Sequence, residues 1–555
     1  MIRSTLLRRR FPGRAWFAAL GLLLGSAFFV SAAPTPGPGA TLVVNGDFDH
    51  VGADRLPAGW SAPKPEGTIN VVREGSLSYL RLVSTAPNQL VLVTQTVAVP
   101  EGWKGLVVKT RFRTENVKFG KDFLCDARAR FSFRDASGKP VGKGPPDIIF
   151  SAQAKNWTEA ERKFLVPESA VALKIDVCLN RPASGALDLD SIRVVAMDPA
   201  EAEALAMAPI LAARKKAADE EAVRDLLALP PITRPLKVSG NRLVDDRGRH
   251  VILRGVNVPS LEWSSRGENV LRSTKVAVVD WQANVIRLPV HNRYWFGRGK
   301  GKEPANDAEA YRALVDDVVK IAAARGAWVI LDLHLFGSPQ ADAVEFWQDA
   351  AARYKNHPAV LFDLFNEPTS GPWELWRKGG PKEVKDKKTG AVSTIEVVGM
   401  QTLIDTVRAT GAKNIVIAGG LAHAYDLSGV LEGHALSDTT GNGLVYATHF
   451  YNWHRGWERK FLSLASRYPI LVGEFGADVK KMNFIPAAQQ EDPHTWMPDA
   501  LGMIQKYQLN WTAFSLHPAA TPVLIKDWTY EPTPFFGAFV KDALAGKRFE
   551  STRLR

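Results

Sequence analysis

The stretch LFDLFNEP, Leu361 to Pro368, is a run of large apolar residues that ends in a carboxylate, Glu367. An apolar run of that length reads as a parallel strand buried on both faces. A charge at its tip is costly to desolvate, so it stands there only where the fold needs it. A second run of the same kind, PILVGEFG from Pro469 to Gly476, ends in Glu474. Six more lie around these two: VILRGVNV (251–258), NVIRLPV (284–290), WVILDLH (328–334), NIVIAGG (414–420), LVYATHFY (444–451) and NWTAFSLH (510–517). Amphipathic helical segments separate most of them, among them Asp307 to Arg325, Asp342 to Tyr354, Val398 to Thr410 and Trp457 to Arg467. Eight strands alternating with helices predict a (β/α)8 TIM barrel over 236–547, opened by a small hairpin, KVSGNRLVDDRGRHVI. A doubly wound open sheet would use the same alternation, but no Gly-rich phosphate loop follows the first strand.

The chain before Leu236 differs in character. Residues 41–197 hold short alternating runs such as GLVVKTRFRT, ARARFSF and VALKIDVCL, separated by Gly, Pro and Asp turns, and predict an all-β sandwich. Residues 198–235 are rich in Ala, Glu, Lys and Leu up to Pro230-Pro231 and predict a helical linker. A Pro/Gly linker (33–40) precedes the sandwich, and a basic tail (548–555) closes the chain.

The 555 residues carry 46% hydrophobic and 23% charged side chains, a globular balance, and a net charge of +12. Five of the arginines (Arg3, Arg8, Arg9, Arg10, Arg14) precede the apolar run Ala15 to Val30, and Val30-Ser31-Ala32 is a small-residue exit. Residues 1–32 therefore read as an export signal that leads to a secreted or periplasmic protein. Arg8-Arg9-Arg10-Phe11 has the look of a twin-arginine signal, although Pro12 interrupts the apolar follow-on, and a general secretory signal fits as well. As an anchor the apolar run is short of the roughly 20 residues that span a bilayer, so no stable span is expected after cleavage. The other basic residues are scattered without interleaved aromatics, which argues against nucleic acid as a partner. Export makes a Cys125–Cys178 disulfide the expected state of the two cysteines, with two free buried thiols as the other reading.

Polar residues gather at the ends of the barrel strands: Arg287 on the second, Asp332 and His334 on the third, Asn366 and Glu367 on the fourth, His449 and Tyr451 on the sixth, Glu474 on the seventh and His517 on the eighth. Barrel closure brings all those ends to one face, where catalytic groups of such barrels sit. Two carboxylates facing each other across a cleft are the equipment for cleaving a glycosidic bond. The histidines lack HExxH spacing and no cysteine lies nearby, so neither a metal nor another cofactor is expected in this site.

The ordered set, NEP at Asn366-Glu367-Pro368, GEFG at Gly473 to Gly476, VIRLPV with Arg287, LDLH with His334 and HFY with His449 and Tyr451, resembles glycoside hydrolase family 5, the large retaining cellulase family, over roughly Val238 to Leu544. The resemblance implies Glu367 as acid/base and Glu474 as nucleophile. It implies Arg287 and Tyr451 as the groups that keep Glu474 ionised, Asn366 as the partner of the sugar 2-OH, and His334 and His449 as orienting groups. Glu367 is then expected to have a raised pKa, from burial and from the negative Glu474 nearby. On the eighth strand, where the family usually carries a tryptophan as a sugar floor, this chain has Phe514, with Trp511 before it and Trp528 as a loop substitute.

Sugar rings expose flat CH faces, so loop aromatics are candidate cleft residues: Trp263, Tyr294, Trp295, Phe336, Trp373, Trp376 and Trp453, with Phe514 and His517 on strand eight. Trp373 and Trp376 open a long insertion, Gly371 to Val397, whose PKEVKDKKTG centre reads as a mobile solvated loop. The LVVNGDFDH opening and LDLDSIRVVA close of the sandwich resemble jelly-roll carbohydrate-binding modules, which implies a structural calcium with Asn45, Asp47 and Asp190 as candidate ligands. A spacer or subunit-contact domain is the competing reading. Together these readings give a monomeric, exported endo-β-1,4-glucanase acting on β-glucan. β-Mannanase, xyloglucanase and exo-β-glucosidase are alternatives of the same chemistry, and a non-catalytic glycan-binding barrel is one of a different class.

Overall fold

The protein is described here by a computed structural model covering residues 39–63, 66–121, 126–299, 305–385 and 389–555. The export signal and Cys125 lie outside the described residues. The chain divides into two compact units, Met1–Leu211 and Ala212–Arg555. The helix Pro199–Ala228 runs through the division. No helix among the described residues is long and apolar enough to cross a membrane.

In the first unit the alternating runs form two antiparallel sheets. The five-stranded one is ordered Thr68–Glu74, Leu77–Ser84, Ser184–Ala196, Gly105–Lys118, Thr158–Leu165; the four-stranded one is ordered Leu90–Ala98, Ala172–Asn180, Ala127–Arg134, Ile148–Ile149. Alternate residues of both sheets, such as Leu80, Val108 and Leu189 on one and Val93, Phe131 and Ile175 on the other, bury a single shared core. That is the result of period-2 patterning with one apolar face per sheet. Cys178 is a free thiol with no exposed surface, and burial pushes its pKa up to about 12. Of the aromatics in this unit, Trp60 is core and Phe119 is exposed, while Trp157 lies half-buried against Tyr79 under the guanidinium groups of Arg111 and Arg113.

Of the three residues expected to hold calcium, Asn45 and Asp190 are committed elsewhere. The Asn45 amide donates to the carbonyls of His50 and Ala58 and accepts from the His50 N–H, closing a turn. Asp190 is paired at 3.0 Å with Arg111, whose charge opposes a cation, and Asp47 is exposed. This arrangement does not suit a divalent cation.

In the second unit all eight apolar runs are strands of one closed parallel barrel: Arg254–Asn257, Val285–Val290, Trp328–Leu333, Val360–Asp363, Val416–Gly419, Leu444–Tyr451, Ile470–Gly476 and Asn510–Ala513, in that order around the ring. Strands two to eight are buried at nearly every position, which is why they read as continuous apolar runs rather than alternating ones. The hairpin before the barrel is three short strands, Lys237–Ser239, Arg242–Val244 and His250–Val251. It packs Leu236 and Leu243 with Leu253, Val285, Trp328 and Ile415, at the N-terminal side of the barrel.

Helices follow the amphipathic segments closely. Ala308–Ala324 is capped by Asp307, whose carboxylate accepts from the N–H groups of Glu309 and Ala310. Two segments differ from expectation. The helix expected over Trp457 to Arg467 breaks into Trp457–Lys460 and a 3-10 turn, Leu462–Leu464, because Phe461 between them leaves helical geometry. The described part of the insertion forms a helix, Trp373–Lys378, and two antiparallel strands, Gly379–Lys385 with Val392–Val398, and residues 386–388 at the centre of the expected loop lie outside the described residues. Its Lys-rich surface alternates with Val and Ile, a strand pattern that charge composition alone concealed.

Candidate active site

The site is built around Arg287, which projects from the second strand and has no exposed surface. Its Nη1 donates to Glu474 Oε1 at 2.8 Å and to Asn257 Oδ1 at 3.0 Å, its Nε to Asp363 Oδ2 at 3.0 Å, and its Nη2 to Asn366 Oδ1 at 2.8 Å. Asp332 Oδ1 lies 3.1 Å from Nη2. One planar guanidinium thus meets groups from strands one, three and seven and two from strand four and its end. Burial works against its charge, but Asp332, Asp363 and Glu474 outweigh that and hold its pKa above the usual arginine value.

Glu474 takes its second partner from strand six. The Tyr451 hydroxyl donates to Glu474 Oε2 at 2.5 Å, and burial together with that carboxylate keeps the phenol neutral. Glu367 faces a different environment. His449 Nδ1 is 3.1 Å from Glu367 Oε1 and 3.7 Å from Glu474 Oε2, and His423 Nδ1 is 3.1 Å from Glu367 Oε2. A carboxylate oxygen of each glutamate and a nitrogen of His449 all lie within 4.8 Å of one another. The expectation of a raised pKa at Glu367 is overturned. Burial does push the carboxyl up, but the hydrogen bonds from His423 and His449 outweigh it and leave it well below the usual range.

Behind this pair, His334 Nδ1 lies 2.7 Å from Asp332 Oδ2. Burial lowers its basicity, yet Asp332, Glu262 and Glu474 together hold its pKa at about 9. Glu262, half-buried in the loop after strand one, is pushed up to about 7 by burial, with the His334 charge opposing. Asn366 Nδ2 and His449 Nε2 are buried and have no hydrogen-bond partner among the described residues.

The geometry brings together Glu367, Glu474, Arg287, Asn366, His334, His449 and Tyr451. It separates the aromatics into two groups. Trp263 is 41% exposed, Phe336 is exposed edge-on to His334, Trp453 stacks at 5.0 Å on Tyr451, and Phe514 is half-buried. Tyr294, Trp295 and Trp376 are instead core residues and cannot present a face to a sugar. The Tyr294 hydroxyl donates to the Trp263 carbonyl, Trp295 Nε1 to Asp349, and Trp376 Nε1 to the Gly419 carbonyl. Trp373 packs half-buried against Trp376 and His434. His517 is also buried, with Nε2 at 3.2 Å from Glu268 and the edges of Trp263 and Trp528 against its ring. Trp511, at 2% exposure, is core, whereas Trp528 is half-buried beside His517. Sequence reasoning missed His423, Glu262, Asn257 and Asp363. Only Asp363, inside the opening run, carried a visible signal, since a charge within a buried strand demands a partner.

Residues 244–520 match the cellulase model, glycosyl hydrolase family 5. The barrel is a family 5 glycoside hydrolase domain. Endoglucanase A of Butyrivibrio fibrisolvens is 28% identical over 255 residues, which cover 43% of this chain and 52% of its own length. Endoglucanase E-5 of Thermobifida fusca is 26% identical over 257 residues, covering 44% of this chain and 48% of its own. The chain therefore spans about half the length of the curated relatives it matches. The crystal structure of a beta-glucanase from Saccharophagus degradans in complex with cellotetraose aligns at 24% identity and a TM-score of 0.46, over 56% of this chain and 93% of that one.

Two measurements check the electrostatics and packing of the family 5 domain. A Cβ at Gly473 would come 2.8 Å from His449 Nε2, so G473A should displace that imidazole. We expect kcat to fall about 100-fold, the scale of a small misplacement of catalytic groups, with thermal unfolding little changed. An unaltered kcat would remove His449 from the working geometry. The His334 imidazolium is favoured by folding, so its contribution to stability is complete below the unfolded value of 6.5 and is lost as pH rises through about 9. The melting temperature should decline across that window, and H334Q should flatten the decline.

Proposed function

We propose that the chain is an exported, retaining β-1,4-glucanase that hydrolyses β-glucan by double displacement. The observation that carries the mechanism is the proximity of the two carboxylates, with oxygens of Glu367 and Glu474 within 4.8 Å. Retaining enzymes hold their carboxyl groups about 5–5.5 Å apart, whereas inverting ones need about 6.5–9.5 Å to admit a water. The endoglucanase names of the relatives support a β-glucan as substrate. The basic, then apolar, leader of residues 1–32 supports export.

The roles follow from the partners. Glu474, held by Arg287 and the Tyr451 hydroxyl, attacks the anomeric carbon through a carboxylate oxygen. The C–O bond to the leaving sugar breaks as Glu367 delivers a proton to its oxygen. That proton is held by the cluster of Glu367, His449 and His423 rather than by a lone carboxyl. In the second step Glu367 takes a proton from water, whose oxygen displaces Glu474 from the anomeric carbon with net retention. The free Asn366 Nδ2 is the donor available to the sugar 2-OH, because its Oδ1 is already committed to Arg287. The exposure of Trp263 and Phe336 and the half-burial of Trp453 and Phe514 support stacking of these aromatics on sugar faces.

Product analysis on carboxymethylcellulose, lichenan, mannan, xyloglucan and laminarin tests this reading. We expect reducing ends from the β-glucans, with the β-anomer formed first. E474A should lower the rate by about 10³-fold or more, and E367A by about 10²–10⁴-fold on substrates with poor leaving groups. Initial α-anomer would exclude retention, equal residual hydrolysis in E474A would falsify the nucleophile assignment, and activity on mannan alone would remove the glucanase reading.

For the two N-terminal sheets we infer a glycan-binding role. It is supported by the resemblance of their opening and closing strands to jelly-roll carbohydrate-binding modules and by Trp157, half-buried against the buried Tyr79. The full chain with E474A should be retained on insoluble β-glucan, and W157A added to it should release it several-fold. Undiminished retention of the double variant would assign the binding to the barrel cleft and leave the sheets as a spacer.

A further inference from the structure

His423 lies outside every strand-end motif. It follows the fifth barrel strand, one of the two whose ends offered no candidate residue, on the turn Leu421-Ala422-His423-Ala424-Tyr425-Asp426. Three successive residues of this turn, Ala422, His423 and Ala424, are left-handed, with φ of 55°, 60° and 59°, and none is glycine. Such a backbone is disfavoured for L-residues and persists only where its surroundings over-determine it.

Here they do, and the ties run to the catalytic strands. Leu421 and Asp426 exchange both N–H···O bonds at 2.9 Å. The His423 N–H donates to the carbonyl of Pro368, the residue after Glu367, at 2.9 Å. The Ala424 carbonyl accepts from the His449 N–H at 3.2 Å, and the Tyr425 carbonyl accepts from the Thr448 hydroxyl at 3.1 Å. The strained turn is therefore sewn to the ends of strands four and six. Its product is an imidazole with Nδ1 at 3.1 Å from Glu367 Oε2 while 59% of the side chain faces solvent.

Resting on the glycosidase reading above, we propose that His423 is a positioning residue for the acid/base: it grips Glu367 Oε2 from the solvent side while His449 holds Oε1 from within, fixing the carboxyl plane and sharing its proton. The other titratable groups facing Glu367 are Glu474 from strand seven and Tyr451 and His454 from strand six and its loop. Glu474 Oε2 lies 3.7 Å from the same His449 Nδ1 that meets Glu367, and His454 Nδ1 is committed to the Tyr451 N–H. His423 is thus the partner of Glu367 in direct exchange with water, and the Glu367 hydrogen bond raises its basicity. Its removal leaves Oε2 without that donor, so the carboxyl pKa rises and the protonated acid persists to higher pH.

The test compares H423A and H423N with wild type on a cellooligosaccharide and on an aryl cellobioside with a good leaving group, which needs little protonation to depart. For H423A we expect kcat on the oligosaccharide to fall about 10-fold with KM nearly unchanged, the aryl substrate to be cleaved at close to the wild-type rate, and the alkaline limb of kcat/KM to move upward by at least half a unit. H423N keeps an N–H donor without the charge. It should restore most of the oligosaccharide rate but not the position of the limb. Equal losses on both substrates, or an unmoved limb, would overturn the proposal. A second arm does not depend on turnover: imidazole titration by NMR, in which the His423 midpoint should fall in E367Q. An unchanged midpoint refutes the contact. A falling midpoint in a protein that cleaves none of the glycans keeps the contact and rejects the glycosidase reading instead.

Discussion

A fully buried guanidinium organises this site. Arg287 has been taken out of water at a cost that one partner could not offset, and it is surrounded by three carboxylates and two amide oxygens from strands one, three, four and seven. Each of those groups would be costly to bury without it. The hub therefore joins the strand ends and fixes the orientation of Glu474 and Asn366 through the same plane of nitrogens. Asn257, which passes its own amide hydrogens to the Gly473 carbonyl, ties the hub to the strand that carries Glu474.

Two chemically identical side chains acquire different properties from this frame. Glu474 is held by a permanent cation and a neutral phenol, the guanidinium of Arg287 and the hydroxyl of Tyr451. Glu367 is held by two imidazoles, His449 at one carboxylate oxygen and His423 at the other. Burial by itself would raise the Glu367 pKa, but the hydrogen bonds from His423 and His449 reverse the sign. The environment of the Glu367 carboxylate is therefore a property of a three-group cluster with His449 and His423.

Aromatic side chains divide by a different constraint. Trp295 and Trp376 lie in loop segments that the strand pattern leaves outside the barrel, yet they are buried and donate to Asp349 and the Gly419 carbonyl. Trp263 occupies a comparable sequence context and stays 41% exposed, its indole N–H donating to Glu268 on the same loop. Composition and spacing cannot distinguish these cases, because a tryptophan suits both a core and a sugar face. What decides between them is whether a neighbouring helix covers the ring, as Phe346 covers Trp295. The insertion hairpin escaped notice for a related reason: its charged residues suggest a solvated loop, while the alternation that makes it pair, Gly379–Lys385 with Val392–Val398, depends on a partner strand.

The sequence by itself determined the eight-strand order, the all-β character of the N-terminal region and the identity of both carboxylates. Burial on both faces imposes a continuous apolar run, and a charge ending such a run stands out against it. Only the tertiary structure decided the proton chemistry around Glu367. The turn that carries His423 consists of leucine, alanine, tyrosine and aspartate around it, with neither glycine nor asparagine to mark left-handed backbone, and its conformation comes from hydrogen bonds to Pro368, His449 and Thr448. Local sequence records what a segment prefers, whereas a strained segment records what its neighbours require, and those neighbours meet only when the barrel closes.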